Sequence, residues 1–291
     1  MSSGPSPSDP RSLRPAVPPR LLTIAGSDSG GGAGIQADLK TFAAHGAYGM
    51  SAVTAVTAQN TRSVIAVHEI PPTVVAAQID AVFDDLGVDA VKIGMLGGAA
   101  IVRAVARRLR EWLGGQPRLP VVLDPVMVAK SGDALLEDEA VEVLLHELVP
   151  LATVVTPNLP ETARLTGLPV ETEDERRAAA RRIAAVERPL PGRDRPAVLV
   201  KGGHGPGNTV IDLLLDHGNV RRFVHPRIAT RATHGTGCTL SSAIAARLGR
   251  GEEIPQAVEG AIGYLTSAME AAFPLGAGHG PVDHFFGFRG P

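Results

Sequence analysis

Short apolar runs punctuate this chain at Leu21–Ala25, Ala90–Gly94, Val121–Leu123, Thr153–Thr156 and Ala197–Val200. None of them alternates apolar with polar residues. A strand with one face in water must alternate, so these runs predict strands covered on both faces, as in a parallel sheet. Segments of helical period lie between them. Pro72–Leu86 brings Val75, Ile79, Val82 and Phe83 to one side, and Ala100–Trp112 does the same with Ile101, Val105 and Leu109. Glu137–Val149 and Glu173–Val186 behave alike, with their charges outward. Ile254–Phe273 repeats Ile254, Ala257, Val258, Ala261, Ile262, Leu265 and Met269 at helical spacing. Strand–helix alternation of this kind predicts a doubly wound α/β fold, a mostly parallel sheet with helices on both faces. One stretch departs from the pattern. Val210–Leu215 and Val220–Val224 flank Asp216-His217-Gly218-Asn219 and predict a hairpin, hence a small antiparallel edge.

Aromatic residues make up 3% of the chain, so the core must be built from Ala, Val, Leu and Ile. Residues 1–19 hold six prolines, several serines and no apolar run, and are read as a disordered head without the apolar core of a signal peptide. Residues 20–291 are then expected to form a single domain. The proline- and charge-rich Glu187–Pro196 reads as a surface loop. No run approaches the roughly 18 apolar residues of a membrane span. A net charge of -2 lacks the basic footprint of a nucleic-acid binder. The single cysteine, Cys238, excludes an intramolecular disulfide framework and an all-Cys metal site, and fits the cytoplasm.

Ligands of doubly wound sheets sit where the strands end, so the strand exits carry the chemistry. The first exit is Ala25-Gly26-Ser27-Asp28-Ser29-Gly30-Gly31-Gly32-Ala33-Gly34, followed by a helix from about Ile35. Its glycines let backbone approach a ligand. Gly32-Ala33-Gly34-Ile35-Gln36-Ala37 fits the dinucleotide pattern G-x-G-x-x-A, but Leu39–His68 contains no Asp or Glu to hold a ribose. The second strand, read as Tyr48–Ala58, ends in Gln59-Asn60 instead. No Gly-Lys-Ser/Thr occurs, which removes a Walker loop. Asp28, Asp38 and Gln59 together suit a neutral heterocycle or polyol. The alternative is that Asp28 caps its own turn and Asp38 faces solvent.

Leu123-Asp124-Pro125-Val126 places an acid at a strand end, suited to a magnesium shell, to proton transfer, or merely to starting a turn. Thr156-Pro157-Asn158-Leu159-Pro160-Glu161 adds a second acid where a helix opens. Asp124 and Glu161 on successive exits favour a hydrated Mg²⁺. Val200-Lys201-Gly202-Gly203-His204 offers a lysine to a phosphate, or to solvent at a turn. Thr233-His234-Gly235-Thr236-Gly237-Cys238 then opens a helix, and its backbone N–H groups form an anion hole suited to phosphoryl transfer.

Taken together these motifs, with Ala58-Gln59-Asn60-Thr61 and Lys92-Ile93-Gly94-Met95-Leu96, resemble the ribokinase-like superfamily. Within it the chain is similar to the bacterial hydroxymethylpyrimidine/phosphomethylpyrimidine kinases of thiamine biosynthesis, from about Leu21 to Phe286. The resemblance implies a three-layer α/β/α fold, ATP as co-substrate and Mg²⁺. It implies two successive phosphorylations, of 4-amino-5-hydroxymethyl-2-methylpyrimidine to the monophosphate and then to the diphosphate. It puts the Gln59 amide on the pyrimidine edge, with Ala33, Asp38, Met95, Val126 and Cys238 around the ring and Asp28 nearby. It gives Asp124 and Glu161 to the metal, largely through water, and Lys201, Asn158, Thr236 and Gly235 to the ATP phosphates. Gly235 and Gly237 form the catalytic anion hole beside Lys201. A homodimer is implied as well. Many sugar kinases of the superfamily carry an aspartate base where this chain has Cys238. A helix N-terminus lowers a thiol pKa, so Cys238 is either the base or a pocket wall. A pyridoxine/pyridoxal kinase and a non-catalytic pyrimidine sensor are the rival readings. Gln59 argues against the first, and the trio Asp124, Glu161 and Lys201 argues against the second.

Overall fold

The structure is a computed structural model describing residues 17–127, 137–185 and 190–289. Most of the expected head and the first part of the 187–196 loop lie outside the described residues. The chain begins with β1 (Arg20–Ala25), α1 (Gly34–Ala44), β2 (Tyr48–Val53), β3 (Ala55–Gln59), β4 (Val64–Glu69) and α2 (Pro72–Ala81). Next come β5 (Ala90–Ile93), α3 (Ala99–Gly115), β6 (Val121–Leu123), α4 (Asp138–Val143), β7 (Val154–Val155), α5 (Leu159–Thr166) and α6 (Glu173–Ala184). The chain closes with β8 (Ala197–Val200), β9 (Thr209–Asp216), β10 (Asn219–Pro226), α7 (Thr236–Leu248) and α8 (Ile254–Glu270).

Eight strands form one sheet in the order β10-β9-β8-β7-β6-β5-β1-β2. Every pair from β2 to β8 is parallel, and β8–β9 and β9–β10 are antiparallel. The expected α/β fold and its antiparallel edge are both present. The chain turns from β1 to β2 on one side and later to β5 on the other, which makes the β1/β5 crevice the topological switch point.

Neighbouring residues of each central strand serve opposite faces, as the pleat requires. Leu22, Val91, Val121, Val155 and Val198 pack with α2, α3, α4 and α6, whereas Leu21, Ala90, Val122, Val154 and Ala197 pack with α1, α7 and α8. Three layers result. Both sheet faces are covered, so the strands carry no polar alternation. Burying each Val, Leu or Ile side chain contributes about 1.5–3 kcal/mol. Among the largest fully buried side chains, Phe42 is the one aromatic, and Lys92 stands among the aliphatics.

One expectation fails. The second strand does not run unbroken through Ala58. It stops at Val53, and Thr54 hands the chain to β3, which leaves the main sheet and pairs antiparallel with β4. The Thr54 hydroxyl donates to the Met95 carbonyl at 2.8 Å and its N–H to Ala25 O at 3.1 Å, which fixes the corner. This two-stranded ribbon carries Gln59 at its end and exposes Val56, Ile65 and Val67. The loop reading also needs amending at one residue. Arg193 is buried, its guanidinium donating to the carbonyls of Pro117, Leu119 and Leu151.

Candidate active site

The exits of β1, β3, β5, β6, β8 and the turn before α7 surround a cavity of about 740 Å³, within the usual range for small-molecule sites. Asp28, Ala33, Gln59, Met95 and Val126 line it, as do Asp124, Asn158, Glu161 and Lys201. So do Gly235, Thr236, Gly237 and Cys238. Of the residues expected from the sequence, Asp38 alone is missing from the wall.

Asp38 is a correction. It is fully buried behind the wall, with Lys92 Nζ at 2.8 Å from both carboxylate oxygens, Thr23 Oγ1 donating at 2.6 Å and Ser242 Oγ at 2.7 Å. Four hydrogen bonds from three donors saturate the carboxylate and leave no accepting position for a ligand. Neither does Asp38 face solvent. It closes the charge of a lysine that a strand buried on both faces would otherwise leave alone.

Asp28 lines the cavity, but its carboxylate also serves the loop. Oδ1 accepts from Gly30 N at 2.8 Å, and Oδ2 accepts from Gly32 N at 3.0 Å, Ala33 N at 2.8 Å and His234 Nε2 at 2.8 Å. Burial pushes its pKa up, but the His234 and backbone hydrogen bonds outweigh it and leave the group below its ordinary value. Asp28 therefore stitches the β1 exit to the turn before α7. His234 is the residue sequence reading passed over; it stands beside the anion-hole glycines, but its partner lies 206 positions away.

That turn is the second centre. Gly235 caps α7 with φ +75, and a Cβ there would run into the Gly32 carbonyl. Only glycine fits without moving the two loops apart. At Gly237 a Cβ would stand 3.2 Å from Asp124 Oδ2 and 3.4 Å from Lys201 Nζ. The helix N-terminus, the carboxylate and the ammonium thus meet at one point. Lys201 Nζ donates to Asp124 Oδ1 at 2.8 Å, and Thr156 Oγ1 donates to the same oxygen at 3.1 Å. Burial pulls the Lys201 pKa down, but the charges of Asp124 and Glu161 raise it overall, so the lysine stays cationic.

Asn158 and Glu161 form the capping box of α5. Glu161 accepts from Asn158 N at 2.8 Å, and Asn158 Oδ1 accepts from Glu161 N at 2.9 Å. The Asn158 oxygen is thereby occupied, and its amide N–H groups are what it offers the cavity. Burial lifts the Glu161 pKa to about 7, Lys201 opposing and Asp124 reinforcing the shift. No cluster of three or more His, Cys, Asp or Glu side chains suited to a metal exists among the described residues. Two facing carboxylates without a third suit Mg²⁺, which keeps most of its water and takes the rest of its shell from phosphates.

Cys238 reverses the expected shift. Burial raises the thiol to about 11, and the Lys92 charge only tempers this. At neutral pH the resting group is the neutral thiol. Cys238→Ala is expected to keep phosphoryl transfer within about tenfold, since general-base catalysis is typically worth about 10²–10⁴. The wild-type rate should not climb with pH between 8 and 10 as a thiolate base would require. A pH–rate series on both proteins measures this; a loss above about 100-fold in Cys238→Ala overturns it.

A model of the phosphomethylpyrimidine kinase family matches residues 28–283. The chain belongs to that family. It is a phosphotransferase. A hydroxymethylpyrimidine/phosphomethylpyrimidine kinase of Streptomyces coelicolor is 52% identical over 93% of this chain and 96% of its own. A thiamine biosynthesis bifunctional protein of Geobacter sulfurreducens is also 52% identical over 91% of this chain, which spans 52% of that longer protein. Among solved structures, an ADP complex of a Bacillus subtilis pyridoxal kinase superposes with a TM-score of 0.81 at 38% identity, covering 92% of this chain and 98% of that one. Membership of the family confirms the resemblance read from the strand exits. No helix among the described residues is long and apolar enough to cross a membrane.

Proposed function

We propose that this protein phosphorylates 4-amino-5-hydroxymethyl-2-methylpyrimidine with ATP and Mg²⁺, and then phosphorylates the monophosphate to the diphosphate. The convergence of Lys201, Asp124 and the Gly235–Cys238 turn on one cavity with Gln59 carries this reading. In the first step the hydroxymethyl oxygen bonds to the γ-phosphorus, the bond to the ADP oxygen breaks, and the hydroxyl proton is lost to water; in the second an anionic phosphate oxygen of the monophosphate makes the new bond and has no proton to lose. The chain's task is positioning and charge stabilisation. Gln59 orients the heterocycle, with Ala33, Met95, Val126 and the neutral Cys238 thiol around the ring. The N–H groups of Gly235, Gly237 and Cys238, with Lys201, face the transferred phosphoryl group, while Asn158 and Thr236 hold the other phosphates. Asp124 and Glu161 would hold the hydrated Mg²⁺, which supplies further charge neutralisation. Residues 20–291 act as a single kinase domain, in a cytoplasmic homodimer whose mass light scattering measures.

An ADP-release assay tests the reading. Hydroxymethylpyrimidine and its monophosphate should both be turned over. Turnover of pyridoxal alone moves the protein to the activity named for its Bacillus neighbour. Turnover of none of the three removes the reading.

Glu161 adds a pH signature. Its folded pKa lies above the unfolded 4.5, so its stabilisation is complete below about pH 4.5 and fades as pH rises through 7. A cation beside it favours the ionised form. Binding of Mg²⁺ and nucleotide at pH 7 should release about half a proton, fading towards pH 9 and absent in Glu161→Gln. Calorimetry in buffers of different ionisation enthalpy reads the number directly. Equal release by wild type and Glu161→Gln would assign the proton elsewhere.

A further inference from the structure

The connection from β8 to β9 is built of residues that hold themselves poorly. Gly202, Gly203, Gly205 and Gly207 make up four of the six residues between Lys201 and Asn208. Glycine gives up the most backbone freedom on ordering and brings no side chain to offset it. The loop is nevertheless part of the cavity wall, where Gly203 and His204 stand with Asn158, Glu161 and Lys201. Three of its carbonyls converge on one side chain. Arg227, the residue after β10, donates from Nη1 to Gly203 O at 2.6 Å, from Nη2 to Gly205 O at 2.6 Å and from Nε to Gly207 O at 2.7 Å. Its backbone N–H donates to Asn208 O at 2.8 Å. Each nitrogen of the guanidinium thus serves the loop, and the planar fork fixes the directions in which three alternate carbonyls point. A Cβ at Gly203 would meet nothing within 4 Å, so the backbone there borders open space beside the cavity.

We propose that Arg227 is a positioning residue for the nucleotide: its fork holds the Gly203–Gly207 backbone in place as a wall of the ATP end of the cavity, and it acts through that wall rather than by its own charge. This rests on the kinase reading, which gives Lys201 and Asn158 to the ATP phosphates. The loop begins at the residue after Lys201, and a Cβ at Gly205 would stand 3.8 Å from Leu159 at the start of α5. Strands β7, β6 and β5 separate it from β1, whose exit holds the Gln59 backbone through Ser29. Lys201 itself has anchors outside the clamp. Its Nζ donates to Asp124 Oδ1 at 2.8 Å and its backbone N–H to Pro157 O at 2.9 Å. Releasing the loop therefore leaves the transfer step in place, whereas ATP must then order the loop as it binds, and that cost falls on affinity.

Steady-state kinetics of Arg227→Met and Arg227→Lys against wild type test this. Both variants should raise KM for ATP by about tenfold or more, leave KM for the pyrimidine within about twofold and lower kcat at saturating ATP less than about fivefold. Lysine keeps the charge but presents it as a point, not as a fork matched to three carbonyls. Recovery of the wild-type KM by Arg227→Lys would mean that the charge acts on the nucleotide directly, and overturns the proposal. A fall in kcat with KM for ATP unchanged overturns it too, as does an equal rise in KM for the pyrimidine. ¹⁵N NMR of the wild-type arginine without nucleotide supplies a check that survives poor folding of either variant. Three carbonyl bonds oppose rotation of the guanidinium, so the Arg227 Nε–H should exchange slowly and its two Nη groups should give separate signals. One averaged Nη signal overturns the clamp. Failure of wild type to turn over any acceptor strikes the kinase reading, while the NMR result still judges the clamp.

Discussion

Lys201→Met is expected to lower kcat by about 10²–10³, the usual loss when one preorganised charge facing a transition state is removed. Lys201 is the cation that touches both the carboxylate at the β6 exit and the anion-hole turn, 2.8 Å from Asp124 Oδ1 and beside Gly237. Other cations of the wall are committed to the fold. Arg164 pairs with Asp138 at 2.7 Å, and Arg227 donates to the carbonyls of Gly203, Gly205 and Gly207. Removing Lys201 has a second effect. Asp124 is 1% exposed, and losing its partner leaves a buried charge, which destabilises by about 3–5 kcal/mol. The two effects are separable. Lys201→Met with Asp124→Asn should recover much of the melting temperature and none of the rate. Steady-state kinetics beside thermal unfolding measure both. A rate loss below tenfold in the single variant would show that the helix N-terminus stabilises the phosphoryl group without the lysine.

How far the sequence could reach follows from what each residue touches. The main strands were legible because both sheet faces are covered, and most helices because each keeps one face in water; α7 has no exposed residue and was read from the glycine turn that opens it. The β4 strand was not. Its six residues Val64–Glu69 run from intermediate to exposed with none buried, so no face was selected for apolar residues and no alternation exists to read. Most cavity residues were legible for a topological reason: a parallel sheet delivers all its strand exits to one edge. The pairings among them were not. Asp28 and His234 meet across 206 positions, and Asp38 and Lys92 across 54. Residue types announce that a carboxylate sits at a loop. Only the fold decides whether it lines the cavity, as Asp124 does, or meets a lysine behind the wall, as Asp38 does.

That buried pair carries an effect on stability as large as the one expected at Lys201. Lys92 and Asp38 side chains are both 0% exposed. Burial alone would push the Lys92 pKa down, but the Asp38 carboxylate more than reverses it, so the ammonium stays charged inside the core. Lys92→Met removes one charge and strands the other. The expected loss is about 3–5 kcal/mol, or about 10 °C in Tm for a chain of this size. Asp38→Asn should lose less, because the amide oxygen still accepts from Thr23 or Ser242 and the freed lysine retains one acceptor. Combining Lys92→Met with Asp38→Asn removes both charges and should recover part of the Lys92→Met loss. Thermal unfolding of the three variants tests this, and equal Tm values for Lys92→Met and the double variant would mean that unpaired charge is not what destabilises. The location of the pair explains why a charge is kept where an aliphatic would pack. Asp38 on α1 binds Thr23 on β1, Lys92 on β5 and Ser242 on α7 at once. Those four elements carry the β1 exit, Met95 and the anion-hole turn. An apolar replacement fills the same space but sets no angle between them. Wherever the double variant folds, KM for the pyrimidine should therefore stay raised even as part of the Tm is recovered, because the core regains its packing while the walls of the cavity lack the contacts that set their registry.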